Sequence, residues 1–210
     1  MVVQPDDKPM ARLSLSKSSL SHEQRQLKTF ERFLPSLDMK RKKLMAQRAA
    51  AHAALEETRA AMVELRAKVA TGLPMLSNLE VDLSGLVTMQ EVRVGRENQM
   101  GIWLPIFEGI EVQVAPYGRL AKPHWVDSVV NELKAILELR MREQLELRRL
   151  ALLEEALRTL TQRVNLFEKV LIPRARDHIR RIGIYLADQE RTAVVRAKIA
   201  KDKRRREGLA

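Results

Sequence analysis

The sequence predicts an all-α-dominated protein, built as a long antiparallel coiled coil of its N- and C-terminal helices with a small middle segment that contains a β-hairpin. Three observations lead there. Aromatic residues make up 4% of the chain and charged residues 31%, with Ala, Leu, Arg, Glu and Lys abundant. That composition belongs to long helices that bury a narrow stripe, since so few rings cannot fill a thick core. Glycine and proline are confined mainly to the middle: six of the eight glycines and four of the eight prolines fall between Gly72 and Pro123. Finally, apolar residues recur at alternating steps of three and four on both sides of that segment.

The boundaries follow from these signals. Residues 1–15 are expected to be a flexible N-terminus, 16–71 the first coiled-coil helix, 72–124 the middle cap, 125–203 the second coiled-coil helix, and 204–210 a basic tail. In the first helix the seam reads Leu20, Glu23, Leu27, Phe30, Leu34, Leu37, Arg41, Leu44, Arg48, Ala51, Leu55, Thr58, Met62, Leu65 and Val69; eleven of the fifteen positions are apolar. A repeat averaging 3.5 residues keeps such a stripe facing a partner only if the pair supercoils to the left. The helix should be roughly 75 Å long at about 1.5 Å per residue. Arg41, Arg48 and Thr58 interrupt the stripe, and the simplest reading is that the long stems of the arginines pass around the partner helix.

In the middle segment, Val87, Met89, Val92 and Val94 alternate as in a strand, and a turn-rich stretch follows from Gly95 to Gly101. Ile102 to Leu104, then Ile110, Val112 and Val114, supply the returning strand. The aromatics Trp103, Phe107, Tyr117 and Trp125 gather nearby, as in a hairpin or irregular cap at one end of the coiled coil. In the second helix, Val126, Val130, Leu133, Leu137, Met141 and Leu145 form one seam. Leu150, Leu153, Leu157, Leu160, Val164, Phe167 and Leu171 form another, and the five-residue step between them should alter the supercoil locally. Each stripe is too apolar to face water alone, so each is the other's natural partner. Pro35 and Pro173 lie inside helical patterns whose spacing continues through them, which predicts kinks rather than helix ends.

Several function classes drop out. The chain has no Cys, which removes disulfides and thiolate chemistry. It has no apolar run long enough to span a bilayer, and residues 1–12 lack the apolar core of a signal peptide. The glycines of GRENQMG, Gly95 and Gly101, have the wrong spacing for a phosphate-binding loop, and Ile102 follows where Lys is needed. His22, His52, His124 and His178 are scattered. The adjacent pairs Glu56–Glu57 and Glu154–Glu155 point in different directions on a helix. No catalytic, cofactor or metal site is therefore expected.

The net charge of +11 calls for an acidic partner or a solvated face. Two basic runs stand out: Lys40, Arg41, Lys42 and Lys43, and the C-terminal run that includes Lys203, Arg204, Arg205 and Arg206. Such runs can bind phosphates, but no base-reading module accompanies them. A basic coiled-coil scaffold or nucleic-acid-binding hairpin is the alternative reading, and nucleic acid is not the expected partner.

Two stretches carry a resemblance. Residues 11–44 (ARLSLSKSSLSHEQRQLKTFERFLPSLDMKRKKL) and 163–203 (RVNLFEKVLIPRARDHIRRIGIYLADQERTAVVRAKIAKDK) resemble the D subunit of V-type and archaeal A-type ATPases, also called V-type ATP synthases. The similar features are LDMKR at Leu37–Arg41, RVNLFE at Arg163–Glu168, and Ile172-Pro173. The resemblance implies a central rotor shaft with no active site of its own. It would be cytoplasmic and peripheral to the membrane, with its terminal helices inserted in a ring of A and B subunits. A small F subunit would sit beside it, and a funnel-like subunit would link it to the membrane ring. The basic residues Lys40–Lys43 and Lys203–Arg206 are then candidate contacts to the ring.

Overall fold

The computed structural model describes residues 13–77, 83–116, 123 and 125–208. Residues 1–12 of the expected flexible N-terminus, and Tyr117 and His124 of the middle segment, lie outside them. Helix α1 runs Lys17–Gly72, followed by a 3-10 turn at Pro74–Ser77. Strands β1 (Val87–Gln99) and β2 (Ile102–Val114) form a two-stranded antiparallel sheet. Helix α2 (Trp125–Leu166), a π turn (Phe167–Leu171) and helix α3 (Ile172–Glu207) complete the chain. The fold is mostly two long helical stretches that pack together, with a β-hairpin in the middle. No described helix is long and apolar enough to cross a membrane. The chain divides into two compact units, Met1–Met39 with Thr161–Ala210, and Lys40–Leu160.

In the first unit, the start of α1 lies antiparallel to α3. Lys17 meets Glu190 at 3.6 Å, Glu23 meets His178 at 3.2 Å and Glu31 meets Arg176 at 2.8 Å. Phe30 packs edge-to-face on Phe167, with ring centroids 5.4 Å apart, the geometry that ring quadrupoles favour. α1 continues unbroken through Pro35. At the other proline the helix answers differently. Proline has no N–H, and its ring collides with the carbonyl four residues back. Just before Pro173 the chain opens into the π turn, and the Ile172 N–H reaches back five residues to the carbonyl of Phe167. A π turn holds one extra residue. The buried position accordingly passes from Leu171, which is half-buried, to Ile172, and continues through Ala175 and Ile182.

In the second unit, α1 and α2 are again antiparallel: Thr58 reaches Glu146, Arg59 reaches Glu143 and Lys68 reaches Glu132. Leu44, Ala51, Leu55, Thr58 and Met62 are the buried positions of α1 here. At the end of this helix pair, Leu86, Trp125, Val126, Val129 and Val130 form a core. Leu73, Leu76, Leu83, Val87, Val114 and Leu133 pack around it.

The hairpin differs from its expected form in two ways. The stretch Gly95–Gln99, expected as a turn, is strand and pairs with Ile102–Ile106. Between the strands, Met100 (φ 55°) and Gly101 (φ 90°) are left-handed, which makes a two-residue type I′ loop whose twist matches the strands. The Asn98 side-chain carbonyl closes it by accepting from the Gly101 N–H at 2.9 Å. Gly95 sits inside the strand, where the room a Cβ would occupy is taken by the Glu108 carboxylate. Second, the hairpin does not simply cap the helix pair but folds back along it. Its base, Val87 and Val114, joins the core around Trp125, whereas Phe107 lies under the Arg142 guanidinium, 5.4 Å from it, and Glu97 pairs with Arg149 at 3.3 Å. Strand and helix rises agree with this alignment. Ten residues of β1 at about 3.3 Å and some twenty of α2 at about 1.5 Å both cover roughly 30 Å.

Candidate functional site

The features with a possible role are the helix seam, its polar interruption, and the basic surfaces. Of the expected seam residues, Leu44, Leu55, Met62, Leu153, Leu160 and Val164 are buried. Leu27, Phe30, Leu34, Leu37, Leu65, Leu150, Leu157, Phe167 and Leu171 are half-buried. A two-helix seam has only one partner face, so most of its side chains keep a flank in water. Positions flanked by a third element, such as those under the hairpin, can close fully. Arg48 is exposed rather than seated in the seam, which passes from Leu44 directly to Ala51, one heptad on. Arg41 is half-buried.

Thr58 is the buried polar residue of the seam. Its hydroxyl donates to Glu146 Oε1 at 3.1 Å across the helix pair, while Glu146 Oε2 is buried with no hydrogen-bond partner. Burial pushes the Glu146 carboxyl above the ordinary carboxylate range. The Thr58 hydrogen bond and the Arg142 charge oppose that rise, and Glu57 and Glu143 add to it. Sequence periodicity registers Thr58 as an interruption but does not identify its partner, because Glu146 lies 88 positions away. On the flank, Arg59 binds Glu143 at 3.0 Å and Glu56 at 3.3 Å, and the Glu143 hydrogen bond raises its pKa.

The two basic runs belong to different units. Lys40, Lys42 and Lys43 are exposed on α1. Lys203, Arg204, Arg205 and Arg206 are exposed in the last turns of α3, where cations also face the negative end of the helix dipole. Every described residue from Ala187 onward is exposed. From Arg191 to Glu207 the helix extends about 25 Å, at about 1.5 Å per residue, past the Lys17–Glu190 pair. Val194, Val195 and Ile199 are among its exposed apolar residues.

Among the described residues, no group of three or more His, Asp or Glu side chains could hold a metal ion. His22 and His52 are exposed, and His178 lies against Glu23. Nothing in this set joins a nucleophile to a base. The arrangement holds two helices in register and presents charge.

The family model for the ATP synthase D subunit matches residues 19–202, which takes in both long helical stretches and the hairpin. The chain is 31% identical over 192 residues to a V-type ATP synthase D subunit of Borreliella burgdorferi, covering 91% of this chain and 95% of that protein. It is 30% identical over 195 residues to the V-type ATP synthase D subunit of Chlamydia felis, covering 92% and 94%, and 30% identical over 198 residues to that of Chlamydia muridarum, covering 92% and 96%. The chain belongs to the D-subunit family of ATP synthases.

Proposed function

We infer that this protein is the non-catalytic central-stalk subunit of a V/A-type rotary ATP synthase. It transmits torque between ATP turnover in a ring of A and B subunits and ion movement in a membrane ring. The observation that carries this is the extent of the family match, which runs through α1, the hairpin, α2 and most of α3. The physical reading supports it. A torque-bearing shaft needs resistance to twisting, and interlocked apolar seams between antiparallel helices supply that. A single hairpin of helices is also asymmetric, as a rotor must be if it is to address the ring's sites in turn.

The finer assignments follow the family. The helical end carrying Lys203–Arg206 enters the A/B ring, where these residues and Lys40–Lys43 face acidic or carbonyl-lined surfaces. Exposed, screened charge lets such contacts exchange during rotation. A small F subunit binds beside the shaft, a funnel-like subunit joins it to the membrane ring, and the protein works on the cytoplasmic side as a peripheral component. Co-expression with A, B and F subunits, purification and an ATPase assay test the reading. A complex with one copy of this chain per three A–B pairs, and altered ATP turnover, is expected. A chain that stays apart, or elutes with nucleic acid until salt is raised, would replace the rotor with the basic-scaffold alternative. Reversing the charges of Lys203–Arg206 should weaken coupling between hydrolysis and rotation; wild-type coupling would remove the ring-contact assignment.

A further inference from the structure

The hairpin is attached to the helices by two kinds of chemistry. At its base, Val87 and Val114 join the apolar core of Leu86, Trp125, Val126, Val129 and Val130. Toward its tip the contacts are polar: Glu97 pairs with Arg149 at 3.3 Å, and Phe107 lies 5.4 Å beneath the Arg142 guanidinium. Leu104 of this outer part is fully buried. Beside these contacts, between the hairpin and the helices, is an open-sided groove of about 370 Å³, lined in part by Ala50, Ala51, Ala54, Phe107, Arg142 and Arg149. The outer part of the hairpin therefore borders a groove floored by alanines.

Between base and tip the ladder is interrupted twice. Gln90 is the extra residue between Met89 and Glu91 on β1, and Glu108 is the extra residue opposite the Arg93–Val94 step on β2. Gly109, beside the second interruption, adopts φ 153°. A β-bulge leaves a residue unpaired and lets the strand bend. One bulge on each strand, a few residues apart, marks a line across which the paired outer segment can turn without breaking its own hydrogen bonds.

We propose that residues 94–107 form a hinged flap, which swings away from α1 and α2 about the two bulges while its base stays in the core. Opening exposes Leu104, separates Arg149 from Glu97, and uncovers the alanine floor. It requires no unfolding of the helix pair. Because Arg149–Glu97 and Arg142–Phe107 are charge-dependent contacts, salt and single substitutions at the tip shift the flap more than they shift the helices.

The absence of Cys from the chain permits a direct test. Ala51→Cys places a thiol on the floor beneath the flap, and Ala175→Cys places one in the buried seam of the other unit; the two alanines are 6% and 3% exposed. Each full-length variant is reacted with a maleimide carrying a polymer too bulky to reach the floor of the groove while the hairpin lies against the helices. Ala51→Cys should react at least ~10-fold faster than Ala175→Cys, since only the latter needs the helices to part. Adding Arg149→Gln should speed the Ala51→Cys reaction about 2- to 5-fold, the range of a partly exposed ion pair, and leave Ala175→Cys unchanged. Glu97→Arg and Arg149→Glu should each accelerate it, and the two together should restore the original rate. Equal rates at the two thiols with the same urea dependence would mean that the hairpin opens only when the protein unfolds, and would overturn the flap. An Ala51→Cys rate indifferent to Arg149→Gln, or a charge swap that fails to rescue, would overturn its clasp. Should Ala51→Cys perturb the seam, Ala54→Cys on the same floor repeats the measurement.

Discussion

Replacing Glu146 by Gln is expected to stabilise the protein at neutral pH by about 1 kcal/mol. Glu146 Oε1 accepts a hydrogen bond from Thr58, but Oε2 is buried without a partner. An unsatisfied buried polar atom costs about 1–3 kcal/mol, more when charged. Against that cost stands the attraction of Arg142, whose side chain is about half in water, so that this pair contributes only a few tenths of a kcal/mol, up to about 1. Glu57 and Glu143 repel the carboxylate further. Glutamine keeps the acceptor for Thr58 and removes the charge. The sign of the pH dependence follows from burial. The folded state holds the Glu146 proton more tightly than the unfolded chain does, so stability falls as pH rises from the ordinary carboxylate value, about 4.3, through the raised folded value. Below that window both side chains are neutral and the advantage of Gln should vanish. Urea titrations of both proteins at pH 4 and pH 7 read the difference, in which all other carboxylates cancel. The corresponding rise in Tm at pH 7 is about 2–4 °C for a chain of this size. A variant less stable than the parent at pH 7, or an offset equal at both pH values, would refute the argument that the buried charge is a cost.

Three further outcomes are expected. Leu153→Ala, at a fully buried seam position, should lose about 2–5 kcal/mol in a urea titration, whereas Leu166→Ala, 46% exposed, should stay within about 1 kcal/mol. Phe167→Leu removes the edge-to-face contact with Phe30 and should cost about 0.5–1.5 kcal/mol beyond lost area, a loss that Phe30→Leu in the same chain does not repeat in full. Gly101→Ala forces a Cβ onto a left-handed residue and should destabilise the hairpin by about 1–2 kcal/mol. Met100→Asn should do the reverse by a few tenths of a kcal/mol, since Asn suits that turn position. Strand amide exchange reads both hairpin variants.

Much of the helical architecture was legible because a heptad stripe is a local, repeated signal. Leu44, Leu55 and Met62 stand at the expected spacing and are buried, since any partner helix must face the same stripe. The hairpin was legible in kind but not in extent. Gly95 looked like a turn signal, yet strand residues also use glycine where another side chain crosses, and here that side chain is Glu108. The π turn escaped sequence reading. A proline predicts a disturbed ladder but not whether the helix runs on, as it does through Pro35, or takes in an extra residue, as it does before Pro173.

Sequence alone determined that two long helices would seek each other, because apolar periodicity is a property of the chain itself. It also carried the family likeness, which lies in runs such as Arg163–Glu168. Only the tertiary structure decided which carboxylate meets Thr58, where the hairpin lies, and that its outer part borders a groove on the helices. Those outcomes depend on residues 52 to 88 positions apart being brought to one place, and nothing in the local pattern of either segment encodes that distance.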